Sequence, residues 1–164
     1  MTTRTIARVA LLVAVATTLA IAESLIPKPL PWLRLGLANA VALLALVRLG
    51  ARAALAVTAV RVLLAGLLLG TLGGPTFALA VAGGAAALVA MVLAARAVPP
   101  LSWLGVSVIG SAAHVLGQLA AIGALFGAGR SVLTLAPWLL ATAVPLGVVT
   151  GAIVVAVDRR LEAW

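Results

Sequence analysis

The stretch Leu104–Phe126, LGVSVIGSAAHVLGQLAAIGALF, runs for 23 residues without an aspartate, glutamate, lysine or arginine. A helix needs about 20 predominantly apolar residues to cross a bilayer. This run has the length and lacks the period-2 alternation of a barrel strand. Lipid offers no partner to an unpaired backbone amide, so the alternatives for a spanning segment are a helix or a closed barrel. The stretch reads as a transmembrane helix. Its one titratable side chain is His114, the sole histidine of the chain, with Gln118 one helical turn further on the same face.

Five further segments repeat the pattern: Val9–Ile26, Leu33–Val47, Ala53–Leu69, Pro75–Ala95 and Val132–Val157. The second is short, and Leu30–Trp32 completes it. Between them lie the expected Pro and Gly breaks at Pro27–Pro31, Leu72–Gly74 and Gly127–Ser131, and the arginine-bearing breaks Arg48–Arg52 and Arg96–Ser102. Pro137 and Pro145 are expected to bend or interrupt the last span. Hydrophobic residues make up 65% of the 164 and charged residues 9%, with a mean hydropathy of +1.33. Soluble domains carry roughly 25% charged residues. The expected fold is an all-α polytopic membrane protein, six transmembrane helices in one bundle, with residues 1–164 forming a single membrane domain.

Orientation follows from where the cations fall. Both termini, the second loop and the fourth loop share one side, with Arg4, Arg8, Arg48, Arg52, Arg96, Arg159 and Arg160. Lys28, Arg34 and Arg130 lie on the other. Lys/Arg excess in short loops marks the cytoplasmic side, so both termini are expected inside, in a multi-pass protein of the cell membrane. Arg4 and Arg8 before an apolar run and Ala20-Ile21-Ala22 also have the form of a signal peptide. The retained first helix is the preferred reading.

The net charge of +8 does not indicate nucleic acid, because the arginines are scattered at span ends with no basic stripe or interleaved aromatics. With no cysteine, disulfides, thiolate metal sites and thiol redox chemistry are excluded. One histidine supplies neither a zinc site nor paired axial haem ligands. No cofactor is expected. No Gly-x4-Gly-Lys-Ser/Thr motif occurs, so any ATP would be hydrolysed by another protein.

An ionisable side chain inside a span costs roughly 2.5–3.5 kcal/mol at the bilayer centre and marks a functional site by default. Arg61 lies deep in the third span. Glu23 stands near the outer end of the first, Asn39 near the outer end of the second, and His114 and Gln118 in the middle and outer half of the fifth. Arg34 and Lys28 sit at the outer rim. Two readings remain open. In one, Glu23 pairs with Arg61 and the neutral groups staple helices together. In the other, these residues line an outward-facing pocket for a small ligand with an anionic group. Small-residue pairs Ala10/Ala14, Ala16/Ala20, Gly66/Gly70 and Gly147/Gly151 are candidates for close helix contact, as are the adjacent Gly83 and Gly84.

Glu23, "IPKPLPWLRLGLAN" (Ile26–Asn39), Arg61, "GGPTFALAVAGGAAALVAM" (Gly73–Met91) and "GVSVIGSAAHVLGQ" (Gly105–Gln118) together resemble the Gx transporter family, also described as heptaprenyl diphosphate synthase component I. The resemblance covers nearly the whole chain. It implies a likeness to the substrate-binding S components of energy-coupling factor transporters: six helices, termini inside, and a ligand site near the outer face gated by the first loop. It places Arg34, Asn39, Arg61, His114 and Gln118 in that site. It also places Ala10 and Ala14 on the face that docks on a transmembrane coupling subunit working with ATPases. Where the family suggests a serine before an Ala-Gly pair, this chain reads Leu79-Ala80-Val81-Ala82-Gly83-Gly84, one polar group fewer.

The synthase description implies chemistry that these residues do not supply. Prenyl elongation needs Mg²⁺ held by clustered carboxylates, whereas Glu23 belongs to one face and Asp158 and Glu162 to the other. The chain is therefore not expected to be an enzyme by itself. An accessory membrane subunit of a prenyl synthase catalytic subunit is the second class of function. A membrane scaffold of a flavin- or quinone-linked electron-transfer assembly is the third.

Overall fold

The computed structural model of the protein describes residues 2–26, 36–97, 101–127 and 129–161. Lys28, Arg34, the Leu30–Trp32 extension and Glu162 lie outside the described residues. Among these the chain forms six α-helices: α1 (Thr3–Leu25), α2 (Leu37–Leu49), α3 (Ala51–Leu68), α4 (Pro75–Ala97), α5 (Trp103–Phe126) and α6 (Ala136–Arg160), with a 3-10 segment at Gly129–Leu135. Five of the six are long and apolar enough to cross a membrane. The exception is α2.

With 13 residues, α2 is about 20 Å long against a hydrocarbon core of about 30 Å. It is also the most enclosed helix. It packs against each of the other five, and Val41 to Ala45 form an unbroken buried run. A helix that is apolar all round belongs in a core, and Leu43, Val57 and Val106 are the largest fully buried side chains here. The longer helices show lipid-sized side chains outward, among them Leu63, Leu67, Leu116 and Val149. The two ends of α2 are both tied. At its C-terminal end Arg48 donates to the Asp158 carboxylate and to the Asp158 carbonyl, joining α2 to the end of α6.

The start of α6, its prolines and the glycine after α3 differ from expectation for local reasons. The last helix begins at Ala136, because Val132–Leu135 belongs to the 3-10 segment. Pro137 does not break it. It stands in the first turn, where a missing N–H is harmless. Pro145 lies inside α6, which continues through it to Arg160. Gly70 is not half of a helix-packing pair: it follows the end of α3 with φ +65° and nothing within reach of a Cβ.

Other glycines do set helix spacing. A Cβ on Gly117 would lie 2.7 Å from the Ala82 carbonyl oxygen, one on Gly147 2.8 Å from the Val108 Cα, and one on Gly151 2.9 Å from the Leu104 Cα. Backbone cannot give way as a side chain can, so α4, α5 and α6 lie as close as they do only through these glycines. Burial divides the alanines of α1. Ala16 and Ala20 face the core, while Ala10 and Ala14 lie on the exposed face.

Two predictions come from this packing. Gly117→Val should destabilise the protein by about 1–3 kcal/mol through overpacking, read as a lowered unfolding midpoint by tryptophan fluorescence in detergent, while Ala120→Val on the exposed face of α5 should leave it unchanged. Single cysteines at the exposed Ser24 and Ser131 should react with a membrane-impermeant reagent in intact cells, and cysteines at Arg52 and Ser102 should not. The reverse pattern would overturn the termini-inside orientation.

Candidate functional site

The site is organised by the start of α2. Gly36 precedes the helix in the left-handed conformation, φ +81°, and offers no side-chain cap. The first N–H groups of a helix have no partner within it. Glu23, reaching over from α1, provides one: its Oε1 accepts from the Leu37 N–H at 2.7 Å. The carboxylate also meets the positive end of the helix dipole. Glu23 is only 3% exposed, so this cap is buried between helices.

Two residues further along, Asn39 faces α3 and α5 together. Its Oδ1 accepts from Arg61 Nη2 at 2.6 Å, and its Nδ2 lies 3.1 Å from His114 Nδ1. The proton order is forced by chemistry. A guanidinium only donates, so the amide oxygen must face Arg61 and the NH₂ must face His114. His114 Nδ1 therefore accepts, and the imidazole proton resides on Nε2. Glu23 and Arg61, a pair in one of the two readings left open by the sequence, thus hydrogen-bond to different parts of α2.

The floor of the site is Gly83-Gly84 of α4. A Cβ on Gly83 would stand 2.8–2.9 Å from His114 Cε1, His114 Nε2 and Gln118 Cγ. A Cβ on Gly84 would meet Thr58 Cγ2 at 3.4 Å and Arg61 Nη2 at 3.7 Å. Adjacent residues point about 100° apart on a helix, so one glycine makes room for α5 and the other for α3. The close approach anticipated at these glycines is what lets Arg61, His114 and Gln118 converge on Asn39.

Gln118 is 6% exposed, and its amide makes no hydrogen bond with any described residue. Thr58, one turn before Arg61 on the same helix face, was not anticipated as part of the site. Its hydroxyl is buried with no hydrogen-bond partner among the described residues. The i, i+3 spacing to Arg61 was the available signal. A cavity of about 20 Å³ adjoins Arg61, lined by Ala20, Ala65, Gly66, Thr71 and Thr76 among others. That is room for roughly one water molecule. The described residues include no cluster of three metal-ligating side chains. Glu23 and Asp158 cap or tie opposite ends of α2.

A family model described as heptaprenyl diphosphate synthase component I matches residues 12–157. The chain belongs to that family. Neither the curated proteins nor the solved structures offer a match to it. The matched range takes in the residues of the site, from Glu23 on α1 to Gln118 on α5.

The amide of Asn39 is the joint of this arrangement. Asn39→Leu would leave Arg61 and His114 each without a hydrogen bond they make inside the bundle, at about 1–3 kcal/mol for a buried group left unsatisfied. We expect a clearly lower unfolding midpoint for Asn39→Leu than for Ala120→Val, measured in the same detergent.

Proposed function

We propose that this chain is a membrane-embedded ligand-binding component of the kind found in energy-coupling factor transporters. It captures a small, partly anionic ligand at the head of α2, on the outer side of the membrane. The observation that carries the reading is Gln118: a side chain 6% exposed, beside the Arg61–Asn39–His114 chain, whose amide hydrogen-bonds to no described residue. Its amide atoms are not among the sealed, unpartnered atoms of the described residues, so they are open to a bound molecule with polar groups. Arg61 supplies positive charge where the dielectric is low and attraction is strong. Lys28 and Arg34 fall in the segment joining Ile26 to Gly36, whose two ends lie at the head of α2. They are assigned here as the outer rim of the site, with Glu23 holding its geometry. The exposed Ala10 and Ala14 face of α1 is assigned to a coupling subunit.

The family description supports a second reading, in which the chain is the non-catalytic membrane component of a polyprenyl diphosphate synthase. On that reading the exposed α1 face meets a catalytic subunit. Co-expression separates the two: prenyl synthase activity that depends on this chain favours the second, and uptake that depends on it together with an ATPase favours the first.

The pocket is tested by mass spectrometry of small molecules retained by the protein in mild detergent. His114→Ala and Gln118→Ala should both yield folded, inserted protein. Each should lower affinity for the retained molecule about 5- to 150-fold, the equivalent of about 1–3 kcal/mol. Unchanged retention by both variants would place the ligand elsewhere.

A further inference from the structure

A second concavity lies on the lipid-facing side of the same helices. It is a groove of about 290 Å³ between α3 and α4, walled by Leu55, Thr58, Ala59, Val62, Val81 and Ala85 among others. Its volume is close to the lower limit of small-molecule sites, about 300 Å³. Its walls run from Phe77 to Leu88 on α4, about 16 Å at a helical rise. The shape suits an extended chain better than a compact solute.

The groove is separated from the charged site by very little. Val62 and Phe77 border both the groove and the small cavity beside Arg61. Gly84 is the shared floor: Thr58 Cγ2, Val62 Cγ2 and Arg61 Nη2 all lie within 3.4–3.8 Å of where its Cβ would stand. The first two belong to side chains of the groove wall and the third is the guanidinium of the site. Thr58, which lines the groove and carries a buried, unpartnered hydroxyl, thus stands at the boundary between an apolar channel and a cation. Phe77 is held by packing: its ring occupies the space left by Gly66, where a Cβ would lie 2.7 Å from Cδ2.

We infer that the groove between α3 and α4 takes the hydrocarbon chain of a single-chain anionic amphiphile, whose head group turns inward past Val62 to Thr58 and Arg61. The inference rests on the reading of Arg61 as a ligand anchor and adds the class of ligand and its route. The molecule reaches the site sideways from the lipid, and the head group is the only part that leaves the apolar phase. Such a ligand has an anion for the guanidinium, an acceptor for the threonine hydroxyl and a tail for the groove.

The test uses the full chain in lipid nanodiscs with dodecyl phosphate bearing a diazirine at the end of its chain. After illumination, adducts are mapped by mass spectrometry. We expect adducts on groove residues such as Leu55, Leu63, Val81 and Leu88 at least fivefold above those on the lipid-facing Leu116 and Val148. Unlabelled dodecyl phosphate should compete, and inorganic phosphate at the same concentration should not. Ala85→Phe and Ala59→Phe, both at exposed positions, should each cut the groove adducts at least fivefold in protein that unfolds at the wild-type temperature. Arg61→Gln and Thr58→Val should weaken capture as well. Adducts spread evenly over all lipid-facing helices, or indifferent to both phenylalanine substitutions, would overturn the inference. If Arg61-dependent binding of inorganic phosphate is found without groove adducts, the pocket stands and the groove does not. Groove adducts indifferent to Arg61→Gln would remove the head-group anchor and overturn the inference, while the pocket is judged separately by His114→Ala and Gln118→Ala.

Discussion

A helix that begins packed against other helices has to satisfy its first N–H groups from their side chains. That constraint organises this bundle. α2 is too short to cross the hydrocarbon core and is buried on every side, so its start lies among other helices. Gly36 brings the chain into the helix through a left-handed turn and contributes no cap. The buried carboxylate of Glu23 does so instead. In a medium that penalises any unpaired polar group by several kcal/mol, this bond ties the end of α1 to the start of α2. The position of Asn39 two residues later follows from it.

From Asn39 onward the arrangement is set by donor and acceptor capacity. Arg61 can only donate, His114 can do either, and an amide offers one acceptor and one donor group on opposite sides. Only one order connects all three. The cation of Arg61 is thereby stabilised by a neutral amide dipole, with the Glu23 carboxylate engaged one helical step away. The glycines of α4 are the steric half of the same solution. A single side chain at Gly83 would push into His114 and Gln118, and one at Gly84 would crowd the Thr58, Val62 and Arg61 wall.

Much of this was legible in the sequence. Length and apolarity identified five of the helices to within a few residues, apart from the longer start of α1. The rarity of polar residues inside apolar runs singled out Glu23, Asn39, Arg61, His114 and Gln118. What could not be read was partnership. Opposite charge made Glu23 and Arg61 the natural pair, but pairing energy competes with helix capping, and the cap depends on where α2 starts. Pro137 is a breaker by propensity and an initiator by position, and only the 3-10 segment before it decides which. Arg48 and Asp158 were assigned to the same membrane face, but their contact depends on how closely α2 approaches α6. Thr58 was invisible because a threonine in a helix is ordinarily unremarkable. It becomes notable only when its hydroxyl is found buried without a partner, one turn from Arg61.

The two ends of α2 are held by different means, and the difference bears on how such a protein works. At the C-terminal end an ion pair at the bundle surface, with both partners partly exposed, locks α2 to α6 through the Asp158 side chain and backbone. At the N-terminal end single hydrogen bonds radiate to other helices, from the Leu37 N–H to α1 and from the Asn39 amide to α3 and α5. A ligand with an anionic group competes directly for Arg61 and indirectly for the amide it binds. It can therefore loosen the head of α2 without disturbing the foot. The residues proposed above to recognise a ligand include those that hold α3 and α5 around that head. On the proposed reading, occupancy and helix arrangement would be coupled through the Asn39 side chain, which joins α2 to α3 and α5.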